Sequence, residues 1–191
     1  MMVAGELSSN GAAMTRSSDL DDFGAFYEAT YERAYRAAVA IVGEPALAVD
    51  VVQDAYLSAF RGRSRFRQDG PAEAWLVRIV VNQAISAARR RRIRWVEPPQ
   101  TITARGDDPG QSVERLSMVE ALQVLPPKER AAVVMRFYLD YDYATIARCL
   151  DTTSGTVGSW LSRAMGRLRT EFGRTGEASN SRRTSGDRDV T

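Results

Sequence analysis

The chain has 191 residues, room for one medium domain or two small ones, and its 44% apolar content suits a soluble globular protein. Its 26 basic and 24 acidic residues leave a net charge of +2, so bulk charge does not announce a nucleic-acid binder; a basic stripe would act locally, within a screening length of about 8 Å. With no histidine and one cysteine, Cys149, the composition excludes an intramolecular disulfide, a Cys/His zinc site and a histidine base, and no catalytic residue, metal or cofactor is expected.

Residues 1–18 are small and polar and read as a disordered tail without the basic and apolar regions of a signal peptide. No apolar run approaches the roughly 20 residues of a membrane span, so no membrane insertion is expected and a cytoplasmic setting fits. A first helix is predicted from Asp19 to Val42: Asp19, Asp21 and Asp22 favour its start, Leu20, Phe23, Tyr27, Tyr31, Ala34, Ala38 and Ile41 recur at helical spacing, and Gly43 stops it. Pro45 opens a second helix to Phe60, with Ala48, Val51, Val52, Ala55, Tyr56, Ala59 and Phe60 on its apolar face. After a loop, 61–70, Pro71 opens a third helix that ends in the arginines 89–92.

The prolines at 98 and 99 and the polar residues to 112 form a flexible linker, 97–112. Helical periodicity returns at 113–124, and three more helices are predicted at 128–138, 143–150 and 154–172, before a charged, disordered tail at 173–191. The chain is therefore read as all-α, with two small helical domains, 19–96 and 113–172.

Residues 142–169 carry the sharpest local pattern. Asp142 caps a short helix with inner face Ile146, Ala147 and Leu150; Ala147 is small where helices should cross, Asp151 lies four residues on at the turn, and Val157 six beyond that. Such spacing is that of a helix-turn-helix, although the turn position, which needs positive φ, is usually glycine. The second helix offers Thr153, Ser154, Thr156, Ser159, Trp160, Arg163 and Arg167 to phosphates and base edges. A helical hairpin with an ordinary polar face is the competing reading.

A second basic segment precedes it. Arg61, Arg63, Arg65 and Arg67 alternate through a loop with Phe66, and the next helix presents Trp75, Arg78, Asn82, Gln83, Ser86, Arg89, Arg90, Arg91 and Arg92. Arginines neutralise phosphates and aromatic rings stack on unpaired bases; Phe66 and Trp75 fit core packing equally well. On the second helix, Asp50, Gln53, Asp54 and Leu57 recur at spacings of three and four opposite the core, a leucine ringed by polar groups that suits partner docking or a plain solvated face.

Together these segments resemble the extracytoplasmic-function sigma factors of bacterial RNA polymerase. Residues 48–60 look like region 2.2, Phe66 to Asn82 like regions 2.3 and 2.4, and Leu125–Arg130 with Tyr143–Ala147 like region 4. The resemblance implies partners: core RNA polymerase, through its largest-subunit clamp helices and flap region, promoter DNA, and the anti-sigma protein that often restrains family members. It implies polymerase binding at Asp50, Gln53, Asp54 and Leu57, −10 contacts at Arg63, Arg65, Phe66, Trp75, Arg78, Asn82, Ser86, Arg89 and Arg90, and −35 contacts along the last helix, in a cytoplasmic protein that joins the nucleoid as holoenzyme. The family commonly has lysine where this chain has Gly158 and arginine where it has Trp160. A plain helix-turn-helix regulator is the alternative; it leaves the arginine-rich helix and the docking face unexplained.

Overall fold

Asp22, not Asp19, starts the first helix: its carboxylate accepts from the Ala25 backbone N–H at 3.0 Å, so α1 spans Phe23–Val42. The computed structural model describes residues 20–66, 71–94 and 118–185; the expected N-terminal tail and linker lie outside the described residues. Helix α2 spans Pro45–Gly62, past the expected end at Phe60, and a short 3-10 turn, Arg63–Arg65, replaces the start of the expected loop. Helix α3 covers Ala72–Arg94, α4 is described over 118–122, and α5, α6 and α7 span Pro127–Phe137, Tyr143–Cys149 and Ser154–Ser185. The last helix thus overruns its expected end at Phe172. No proline follows Pro127, and Gly173 and Gly176 each cost only about 1 kcal/mol in a helix.

Helices α1, α2 and α3 pack pairwise into one bundle. Alanines do the fitting: Ala38, Ala48, Ala55, Ala59, Ala72 and Ala84 are fully buried, and their small side chains let the backbones approach. The Tyr56 hydroxyl meets Thr30 Oγ1 at 2.7 Å, and the Thr30 hydroxyl donates to the Phe26 carbonyl at 2.6 Å. Burial pushes the Tyr56 phenol up to about 12. Two side chains lie nearer the surface than their period implies: Phe60 and Tyr27 are partly exposed, stacked edge-on against Phe23 and Tyr56.

Helix α5 is buried on nearly every face, from Ala131 through Met135, because it touches α1 and α3 on one side and α6 and α7 on the other. The contact is anchored at the C-terminus of α1. The last four carbonyls of a helix have no partner within it, and each one here is met. Gly43 N–H donates to the Val39 carbonyl, Gln123 Nε2 to Ala40, Arg130 Nη1 to Ile41 and Arg91 Nη1 to Val42. Gly43 allows this by adopting φ +79; a Cβ there would sit 2.4 Å from the Gln123 side chain.

Replacing Gly43 with alanine therefore adds left-handed strain and displaces Gln123, and chemical denaturation should show a loss of about 1–3 kcal/mol. Gly166, with nothing within 4 Å of an added Cβ, is the control: Gly166→Ala should raise stability by up to about 1 kcal/mol.

Candidate nucleic-acid interface

Helix α2 buries Val51, Val52, Ala55, Tyr56 and Ala59, which turns Asp50, Gln53, Asp54 and Leu57 outward; all four are exposed, and Leu57 keeps 52% of its surface in contact with solvent. The docking stripe expected from spacing is thus a contiguous surface.

On α3 the residues Trp75, Arg78, Asn82, Ser86 and Arg89 follow spacings of three and four, so they share one face. The last four are exposed and Trp75 is half-buried. Phe66 and Trp75 rest on each other, ring centroids 5.3 Å apart, and pack against the core. Arg63 folds over the Phe60 ring at 3.8 Å and donates to the Phe60 carbonyl, while Arg65 and Arg90 stay exposed. Ser86 Oγ donates to the Asn82 carbonyl. The arginine run divides: Arg91 is tied to Val42 and lies 3.5 Å from Glu44, which leaves Arg89 and Arg90 outward.

The other bundle meets this face at Asn82. Asn82 Nδ2 donates to the Cys149 carbonyl at the end of α6 (3.3 Å), and Arg33 bridges Glu73 at 2.7 Å and the Leu139 carbonyl at 2.8 Å. Burial pushes the Cys149 thiol up, so it stays protonated at neutral pH.

The helix-turn-helix forms as its spacing predicts. Asp142 caps α6 through the Thr145 N–H at 2.7 Å, and hydrogen bonds from Thr145 hold its carboxyl below the ordinary range. Ala147 and Val157 are buried, and Asp151 takes the turn with φ 50. Thr153 Oγ1 accepts from the Thr156 N–H, so it caps α7. With Val157, Leu161, Ala164 and Leu168 inward, the outward edge of α7 is Gly155, Ser159, Ser162 and Gly166, next to the exposed Ser154. Ser162 lies outside the contacts expected from sequence, although the period of the buried residues points to it. Thr156 and Trp160 are half-buried; Trp160 packs on the core with Lys128 Nζ 5.6 Å above its ring. A Cβ at Gly158 would meet Tyr143 at an ordinary 3.6 Å, so packing does not demand glycine.

Arg163 and Arg167 share a residue the sequence did not reveal. Glu129, in the first turn of α5, is buried; its Oε1 accepts from Arg163 Nε at 3.1 Å and its Oε2 from Arg167 Nη1. Among the described residues, no three His, Cys, Asp or Glu side chains cluster to hold a metal, and no helix is long and apolar enough to cross a membrane.

Comparison with known proteins places both bundles. Residues 26–94 match the family model for sigma-70 region 2, and residues 115–168 the model for sigma-70 region 4. The chain is 38% identical over 134 residues to the ECF RNA polymerase sigma factor SigM of Mycobacterium tuberculosis, covering 70% of this chain and 68% of that protein. It is 32% identical to the RNA polymerase sigma-E factor of Streptomyces antibioticus, covering 69% and 74%. In fold it is similar to the sigma factor RpoE of Bartonella quintana, solved with the anti-sigma factor NepR, at TM-score 0.64 and 22% identity over 78% of this chain and 96% of that one. It is also similar to CnrH bound to the cytosolic domain of CnrY, at TM-score 0.65 and 19% identity over 83% and 95%.

Asp151 holds a backbone conformation that glycine adopts without steric cost, so Asp151→Gly should stabilise the C-terminal bundle by roughly 0.5 kcal/mol and Asp151→Val destabilise it by about 1–2 kcal/mol. Thermal unfolding followed by circular dichroism checks both.

Proposed function

The chain belongs to the extracytoplasmic-function (ECF) RNA polymerase sigma factors, and from that premise we propose how its surfaces divide the work. It is a non-enzymatic factor that directs promoter-specific initiation by core RNA polymerase. Asp50, Gln53, Asp54 and Leu57 dock on the clamp helices of the polymerase largest subunit, and the C-terminal bundle sits toward the flap. The α3 stripe of Trp75, Arg78, Asn82, Ser86 and Arg89, with Arg63, Arg65, Phe66 and Arg90, takes the −10 element. The exposed N-terminal part of α7, around Ser154 and Ser159, faces the −35 element, flanked by Arg163 and Arg167. The observation that carries this reading is the exposed α2 stripe: a DNA-binding regulator has no use for a leucine ringed by Asp50, Gln53 and Asp54 on the bundle that precedes its helix-turn-helix.

The geometry adds a requirement. Elements 25 base steps apart lie roughly 85 Å apart along B-DNA, whereas the two bundles here touch and Asn82 is held by the Cys149 carbonyl. Both elements are engaged only when the bundles part. The chain between Arg94 and Met118 reaches on the order of 80 Å when extended, which suffices once the width of each bundle is added. Work in the cytoplasm, association with the nucleoid as holoenzyme, and restraint by an anti-sigma protein such as the one bound to the Bartonella factor complete the proposal.

Asp54 and Leu57 are exposed, so Asp54→Lys and Leu57→Arg should leave thermal stability within about 0.5 kcal/mol of the parent. Each should weaken binding to core polymerase tenfold or more, about 1.4 kcal/mol, in an equilibrium titration. Normal affinity in both variants would remove α2 from the interface.

A further inference from the structure

We propose that Glu129 is a positioning residue that sets the −35 specificity of α7, holding Arg163 and Arg167 as a fixed pair that grips phosphates on the flank of the helix instead of searching base edges. The inference rests on reading α7 as the DNA-facing helix.

Arg163 and Arg167 are one turn apart and share the edge of α7 that faces α5, the edge that also carries Trp160. Two like charges at this spacing repel by a few tenths of a kcal/mol. Glu129 removes that repulsion: its carboxylate, whose side chain is 8% exposed, accepts from both guanidiniums, one oxygen each. The arginine side chains themselves remain 53% and 45% exposed. A guanidinium has five N–H donors; each gives one to Glu129, so the two half-exposed heads are held by one buried anchor.

Two consequences follow for DNA. The cluster carries two positive charges and one negative, a net +1, which lowers the sequence-independent attraction to phosphate that dominates non-specific binding. The arginines also stand to one side of the outward edge formed by Gly155, Ser159, Ser162 and Gly166. Anchored there, they fix the register of that edge against the duplex, which is what phosphate contacts do, and leave base edges to its small side chains. Released, two long cationic side chains would bind any phosphate or guanine within reach. A buried carboxylate that only tied α5 to α7 would change stability without changing this preference.

The test uses holoenzyme made with the full chain. A promoter fragment selected by the wild-type holoenzyme from a library randomised at −35 is compared with the same fragment scrambled at −35. Glu129→Gln, which keeps the volume and an acceptor oxygen, should lower the preference for the selected fragment at least fivefold, tighten binding to the scrambled one, and steepen the salt dependence by about one unit. Arg167→Lys keeps the charge and loses the planar fork, so it should lower the preference with the salt dependence unchanged; if Glu129→Gln does not fold, this variant decides. A preference within twofold of wild type in the folded variants would overturn the inference. A wild-type holoenzyme that selects no −35 sequence would overturn the reading of α7 itself and this inference with it.

Discussion

The C-terminus of α1 is the joint on which the arrangement depends. A helix that ends in the interior of a protein must satisfy four carbonyls from outside itself, and the two domains solve this together. Gly43 and Arg91 come from the N-terminal domain, Gln123 and Arg130 from the C-terminal one. Arg130 is nearly fully buried, and it donates to the carbonyls of Ile41, Gln123 and Leu125 and to the Gln123 side chain. The negative end of the α1 dipole is the complement to that charge.

From that joint the rest of the packing follows. Helix α5 is pinned to α1 and is buried on nearly every face, and the end of α6 comes to rest on Asn82 of α3. The arginines divide by position along the same logic. Arg33, Arg91 and Arg130 hold backbone carbonyls; Arg163 and Arg167 hold Glu129; Arg65, Arg78, Arg89 and Arg90 remain exposed. A chain with almost no net charge thereby keeps a locally basic face on α3.

What was legible in the sequence was everything encoded within one or two turns of chain. Asp142 capping α6, Asp151 at the positive-φ turn, the small Ala147 and the outward α2 stripe all follow from local spacing. The start of α1 was misplaced by three acidic residues that look alike as caps until one of them, Asp22, is seen bonding Ala25. What was hidden is long-range. Periodicity tells which face of a helix is apolar and not what covers it, so Phe66 and Trp75 fit core or ligand equally, and Trp160 is expected on the DNA-facing side; all three pack against the core. Nothing in the segment around Arg130 shows that its guanidinium reaches Ile41, 89 residues earlier. The burial of Glu129 between α5 and α7 is visible only once the helices are packed.

The most direct measurement is in vitro transcription with core RNA polymerase on fragmented DNA from the source genome, with the transcripts sequenced. A sigma factor predicts discrete 5′ ends that appear only when this chain is added, each preceded by a shared pair of elements near −10 and −35. A chain that binds DNA yet leaves the core enzyme's start sites unchanged would contradict the central claim.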